Sequence, residues 1–196
     1  MIDHQNKIIF LHIPKSGGLS LVDALSRKMQ LEEKFKSGHP RYENYIDFFG
    51  EEVSTYYSFT FVRNPWDRFV SAFHYLKKGG RNNCLHDINA GKALKNYNFS
   101  SFAKDFTFQK FNFVHFAEQL FFIGQPNQLN FIGRFENLQQ DFNTVCDKIG
   151  IPRQQLSHMN KSKHKYYSEY YDDETREIVA EKYARDIEYF GYKFGE

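Results

Sequence analysis

The sequence has almost no cysteine: only Cys84 and Cys146 in 196 residues. Two thiols are too few for a disulfide framework or a four-cysteine zinc site. Cys84 and His86 form a short ligand pair, but it lacks partners at metal-site spacing, so no bound metal is expected. Excess charge is also lacking, because 26 Lys and Arg against 24 Asp and Glu leave a formal net charge of +2. That balance argues against a general nucleic-acid binder and requires any anion site to be local. No apolar stretch approaches the roughly 20 residues that span a bilayer. The opening MIDHQNKIIFLHIP lacks a cationic leader with a long apolar run and a small-residue cleavage site. These absences predict a soluble chain with no membrane span, most simply cytoplasmic. Repeats, low-complexity tracts and linkers are missing too, so residues 1–196 are read as one domain with a sizeable core.

What is abundant is aromatic side chains, 22 Phe and 13 Tyr. They predict either a Phe-built core or a cleft lined with rings, and composition does not separate the two. KIIFLHI (7–13) reads as a buried strand, PKSGG as a turn, and LSLVDALSRKM as a helix with Leu19, Val22, Leu25 and Met29 at helical spacing. STYYSFTFVRNP repeats the theme, with a strand stopped at Asn64-Pro65. WDRFVSAFHYLKK resumes as a helix, Pro65 lying near its first turn. FSSFAKDF opens a helix capped by Ser100 or Ser101, and FVHFAEQLFFI reads as helical with Phe116 and Phe121 in the core. NFIGRF is a third strand and NLQQDFNTVCDKIG an amphipathic helix stopped by Gly150. A final helix runs through DDETREIVAEKYARDIEYFGY, capped by Asp172 or Asp173. Strands alternating with helices imply an α/β fold, a parallel sheet flanked by helices. In such sheets ligands bind beyond the carboxyl ends of the strands.

Two turns at those ends carry chemistry. In HIPKSGGLS the strand passes through glycines into a helix N-terminus, which aims backbone N–H groups at one spot and favours negative charge. Lys15 adds a full charge, and Ser16 and Ser20 add hydroxyl donors. The plain alternative is a βα turn with a solvated lysine. A Walker A loop is excluded, because its lysine comes after the glycines and Lys15 precedes them. In FVRNPWDRFVSAF, Arg63 stands at a strand end with Ser71 eight residues on, able to share one side of the helix mouth. Arginine binds phosphate bidentately and serine donates one bond more. Ordinary structural roles are an ion pair of Arg63 with Asp67, and Ser71 as a small residue where helix meets sheet. Arg68 is read as a surface or helix-to-helix contact.

HIPKSGGLS resembles the 5′-phosphosulfate loop of sulfotransferases, and FVRNPWDRFVSAF resembles their 3′-phosphate motif. FIGRFENLQQDFNTVCDKIGI and YYDDETREIVAEKYARDIEYFGYKF are similar to the carboxyl half of the Golgi-type carbohydrate sulfotransferases and their bacterial relatives. The resemblance covers nearly the whole chain and is weakest over 77–125. It implies a P-loop-like sulfotransferase fold, 3′-phosphoadenosine 5′-phosphosulfate as donor, adenosine 3′,5′-bisphosphate as product, and a hydroxyl or amine acceptor, with a carbohydrate hydroxyl foremost. It assigns Pro14, Lys15, Ser16, Gly17, Gly18, Leu19 and Ser20 to the 5′ end of the nucleotide, and Arg63 and Ser71 to the 3′-phosphate. Lys15 then stabilises the leaving oxygen, and the chemistry requires no metal.

A base must take the acceptor proton, and histidine titrates near neutrality. Eight are present. His12 lies in a strand and reads as a packed core residue, and His74 fits either face of its helix. Relatives carry a histidine base in the interval that holds His39, within KSGHPRY, and on that resemblance His39 is assigned as base. His115 is the runner-up; it stands four residues from Gln119, and either would orient the acceptor from a shared helical face. The basic loop HMNKSKHKYY is either solvated or a cover over the nucleotide through Asn160, Ser162 and Lys163. Arg134 either faces the same cleft or pairs with Glu136 or Asp141. Two rival functions stand beside the sulfotransferase: a kinase-like phosphotransferase, and a nucleotide-binding domain without turnover.

Overall fold

A computed structural model describes residues 1–32, 39–81, 84–111, 113–157 and 165–196. The chain divides into two compact units, Met1–Arg63 with Gln119–Lys161, and Asn64–Glu118 with Ser162–Glu196. The strands are β1 (Ile2–Asp3), β2 (Ile8–Leu11), β3 (Tyr57–Val62) and β4 (Phe131–Arg134). The helices are α1 (Gly18–Ser26), α2 (Tyr42–Phe49), α3 (Pro65–Lys77), α4 (Leu85–Leu94), α5 (Phe99–Asp105), α6 (Gln119–Ile123), α7 (Leu138–Ile149), α8 (Asp173–Lys182) and α9 (Ala184–Phe190).

The first unit holds the whole sheet, in the order β1-β2-β3-β4. β1 is antiparallel to β2, whereas β2, β3 and β4 are parallel, with Leu11 opposite Thr60 and Val62 opposite Arg134. The architecture is therefore mixed α/β around a mostly parallel sheet flanked by helices. β2 is buried along its length, as a strand covered on both faces must be. On one face Ile8, Phe10, Phe59 and Phe61 pack against Leu21, Ala24 and Leu25 of α1 and Phe142, Val145 and Cys146 of α7. The Phe10 and Phe59 rings stack 5.1 Å apart. Because three parallel strands lie side by side, their carboxyl ends open on one edge, and the chain leaves that edge at His12, Arg63 and Phe135.

The second unit answers the aromatic question for the described residues: its rings build a core. Phe69 of α3 lies 5.1 Å from Phe116, 5.4 Å from Phe106 and 5.6 Å from Phe102. Tyr183 joins them and donates its hydroxyl to the Phe116 carbonyl at 2.7 Å. Asn64 caps α3, accepting from the Trp66 N–H at 3.1 Å and donating to the Lys193 carbonyl at 2.9 Å.

Several expectations need correction. FVHFAEQLFFI is not one helix: Val114–Phe116 form a 3₁₀ turn, Ala117 is extended, and α6 starts at Gln119. Arg68 supplies the reason. It is 1% exposed, not a surface residue, and its guanidinium donates to the carbonyls of His115 and Ala117. Those carbonyls are thereby held by a side chain rather than by a helical ladder. His115 and Gln119 accordingly share no helical face. Phe121 is 45% exposed rather than core. α5 is capped by Asn98, which accepts from the Ser101 N–H at 2.8 Å, while the Ser101 hydroxyl accepts from the Asn98 N–H. The final helix breaks at Tyr183 into α8 and α9, and Asp172 caps α8. β1, α2 and α4 add to the elements read from the sequence.

Removing the Arg68 guanidinium while keeping its stem takes a buried donor away from two backbone carbonyls. Arg68→Met should lower stability by about 2–4 kcal/mol, read from urea unfolding midpoints. A loss below about 0.5 kcal/mol would mean that this arginine does not hold the 114–118 segment.

Candidate active site

Leu11 ends β2, and α1 begins at Gly18, so six residues turn the chain from strand to helix. Two of them have backbones that side chains avoid. Lys15 has φ 68° and Gly17 has φ 82°. A left-handed residue other than glycine costs about 1–2 kcal/mol, so Lys15 is held there by its surroundings. Gly17 meets the case without strain, and a Cβ on it would stand 2.9 Å from Leu138 Cδ2 and 3.2 Å from the Phe135 ring. Gly18 has a different reason. A Cβ there would fall 2.0 Å from His12 Cδ2 and Nε2, so the His12 imidazole lies directly on the first residue of α1.

Ser16 is 1% exposed, and its Oγ has no hydrogen-bond partner among the described residues. A buried hydroxyl without a partner is costly unless something else supplies one. It sits at the N-terminus of α1, whose first turn carries no acidic side chain. Lys15 is half-buried beside it. A left-handed lysine, an unmatched hydroxyl and a helix N-terminus together fit an anionic oxygen group.

His39 stands next to this loop. Its Nδ1 lies 3.1 Å from the His12 carbonyl oxygen, and the two rings meet edge to face at 4.8 Å. A carbonyl only accepts, so Nδ1 carries the hydrogen and the neutral ring has its lone pair on Nε2. Two residues on, Arg41 donates from Nε to the Phe121 carbonyl at 3.0 Å and pairs with Glu43 at 2.6 Å.

Arg63 comes directly after β3 and is 8% exposed. Its Nη1 donates to the Lys15 carbonyl at 3.1 Å, and its guanidinium lies over the Phe135 ring at 4.0 Å. Gln119 holds its backbone from both sides: Oε1 accepts from the Arg63 N–H at 2.8 Å, and Nε2 donates to the Arg63 carbonyl at 3.0 Å. Gln119 is 0% exposed. The residue expected to orient an acceptor thus has its amide buried against Arg63. Arg134 ends β4 half-buried, and its N–H donates to Asp141 Oδ2 at 2.6 Å. Asp141 therefore engages the Arg134 backbone at the start of α7.

Pro14, Lys15, Ser16, Gly17, Gly18, Leu19, Ser20, His39, Arg63, Gln119 and Arg134 all belong to the first unit. Ser71 and His115 belong to the second. Ser71 is buried in α3 at 9% exposure. His115 is 8% exposed, with its ring 5.1 Å from that of Tyr75. Tyr75 donates to Asp87 at 2.8 Å, and burial together with that carboxylate pushes its hydroxyl well above the usual phenol range. Asn160, Ser162 and Lys163 lie outside the described residues. Among the described residues no three His, Cys, Asp or Glu side chains gather as metal ligands, and no helix is long and apolar enough to cross a membrane.

Sequence reasoning missed three things: the His12 ring against Gly18, the Phe135 ring under Arg63, and the buried service of Gln119. Only the last had a visible signal, a carboxamide heading the apolar run LFFI.

The sulfotransferase family profile matches residues 1–193. The chain belongs to the sulfotransferase family. Among known proteins it is similar to human carbohydrate sulfotransferase 9, with 23% identity over 216 aligned positions, covering 95% of this chain and 47% of that protein. This member of the family thus spans about half the length of the human relative. An uncharacterized protein of Archaeoglobus fulgidus is 31% identical over 100 residues, covering 50% of this chain and 72% of that protein. No solved structure is significantly similar.

The contact between His12 and Gly18 is testable in isolation. Gly18→Ala should lower stability by about 1–3 kcal/mol through overpacking. In a His12→Ala background the same change should cost at least about 1 kcal/mol less, a coupling read from a double-mutant cycle. Equal costs in both backgrounds would show that the ring does not lie on residue 18.

Proposed function

We propose that this chain transfers a sulfuryl group from 3′-phosphoadenosine 5′-phosphosulfate to a hydroxyl of a carbohydrate, with residues 1–196 acting as one catalytic domain on a P-loop-like scaffold. One observation carries the reading. The Ser16 hydroxyl is buried, with no partner among the described residues, beside the left-handed Lys15 at the N-terminus of α1. That combination suits the sulfated 5′-phosphate, with Pro14 to Ser20 as its cradle. The carbohydrate acceptor is supported by the name of the human relative.

In the proposed reaction His39 takes the acceptor proton at Nε2, its Nδ1–H being directed to the His12 carbonyl. The acceptor oxygen forms its bond to sulfur as the bond from sulfur to the leaving phosphate oxygen breaks. Charge grows on that leaving oxygen, and the Lys15 ammonium offsets it. Arg63 and Ser71 bind the 3′-phosphate, joined by Arg134 and by Asn160, Ser162 and Lys163. His115 serves the acceptor side.

Adenosine 3′,5′-bisphosphate at about 100 times its Kd should raise the melting temperature by about 5–10 °C. ATP, which lacks a 3′-phosphate, should raise it far less. Equal shifts with the two nucleotides would remove the 3′-phosphate clamp from the proposal.

In a labelled sulfate-transfer assay on glycans, Lys15→Ala should reduce kcat by about 10²–10³-fold. His39→Ala should reduce it by about 10²–10⁴-fold, with far-UV circular dichroism unchanged. An active His39→Ala enzyme would move the base elsewhere, His115 being the next histidine to substitute.

A further inference from the structure

The hydrogen bonds of the first unit close into a circuit around the carboxyl edge of the sheet. The His12 carbonyl faces His39 Nδ1 at 3.1 Å. Two residues along, Arg41 Nε donates to the Phe121 carbonyl at 3.0 Å. Two residues back on α6, Gln119 pairs with both backbone groups of Arg63, at 2.8 and 3.0 Å. Arg63 Nη1 reaches the Lys15 carbonyl at 3.1 Å, and three residues of chain return to His12. The end of β2, the approach to α2, the start of α6 and the end of β3 are thereby tied together.

Gln119 is the link with the most specific chemistry. The parallel ladder between β3 and β4 runs as far as Val62 opposite Arg134. Arg63 lies one residue beyond it. A carboxamide has an acceptor and a donor side by side, so Gln119 offers Arg63 the pairing that a neighbouring strand would have offered. The side chain is fully buried, so water does not compete for either bond.

We propose that Gln119 is a positioning residue. By holding the Arg63 backbone it keeps the guanidinium on the Lys15 carbonyl, which holds Lys15 left-handed and at a fixed separation from His39. The catalytic consequence rests on the sulfuryl-transfer reading; the structural one does not.

The test pairs two measurements on Gln119→Met, which has the same length but neither the amide donor nor the amide carbonyl acceptor. The first is amide hydrogen exchange of the unliganded protein, comparing a peptide over residues 12–20 with one over α7. Exchange at Lys15 to Gly18 should accelerate at least about ten-fold while α7 keeps its wild-type rate. The second is kcat, which should fall about 10–100-fold, because small misplacements of reacting groups cost that much. A purely structural role would instead speed exchange in the loop and α7 together and leave the kcat of the folded enzyme intact. Gln119→Asn keeps the amide but withdraws it by one methylene, so it should move both readouts in the same direction by less; it carries the comparison where the Met variant does not fold. Unchanged loop exchange, or unchanged kcat in an enzyme that transfers sulfate, overturns the proposal. If the wild type neither binds the bisphosphate nor transfers sulfate, the functional reading fails by itself, and the exchange result still decides whether Gln119 holds the loop.

Discussion

Lys15 is held in a backbone conformation that its side chain disfavours by about 1–2 kcal/mol, and the neighbouring structure is organised around that fact. The chain must leave β2 and enter α1 within six residues. The left-handed turns at Lys15 and Gly17 achieve this. They also fill the space on either side: Leu138 and Phe135 close on Gly17, and His12 closes on Gly18. The Arg63 guanidinium, clamped over Phe135, then fastens the Lys15 carbonyl. A strained residue that persists only because its neighbours over-determine it is the usual signature of a site where geometry matters more than stability.

The parallel sheet explains how a nearly neutral protein brings basic residues to one edge. With 26 basic and 24 acidic residues, no long-range field is available to attract an anion. Topology places basic residues together instead. β2, β3 and β4 are adjacent and parallel, so their carboxyl ends deliver the chain to one edge three times. Lys15, Arg63 and Arg134 stand at or just beyond those ends, one cation for each strand. Nothing in the composition foretells this gathering; it comes from register.

Elements were legible where period and punctuation agreed. β2 and α1 are joined by a Gly-rich turn, β3 stops at Asn64-Pro65, and α7 ends at Gly150, all as read. β1 has two residues, too short for any periodic signal. The 114–123 stretch misled because its apolar spacing suits a helix, whereas Arg68, far away in sequence, draws its carbonyls out of helical register. The loop lysine and serines were visible as residue types at a strand-to-helix turn. The His12 ring against Gly18 was not, since its place in the run KIIFLHI marked His12 only as a packed strand residue. Gln119 was visible as a polar residue before an apolar run, but its partner lies 56 positions away, and no local rule connects the two.

Arg63 shows why the residue types at this edge are not interchangeable. Its guanidinium is planar, with five N–H donors in a fixed fork. One donor goes to the Lys15 carbonyl while the π face lies on Phe135. The plane of the fork is therefore constrained by contacts of different kinds, among them a hydrogen bond along an edge and a ring beneath. A lysine would offer a point charge on a rotating stem, able to satisfy the carbonyl or sit over the ring, but with no plane to fix. Arginine thus converts the position of the Lys15 backbone into an orientation of its own donors. A chain that must hold a lysine in an unfavourable turn and present a second cation in a defined direction meets both needs with one side chain, provided that the backbone of that side chain is itself immobile. That last condition is what the buried carboxamide of Gln119 supplies.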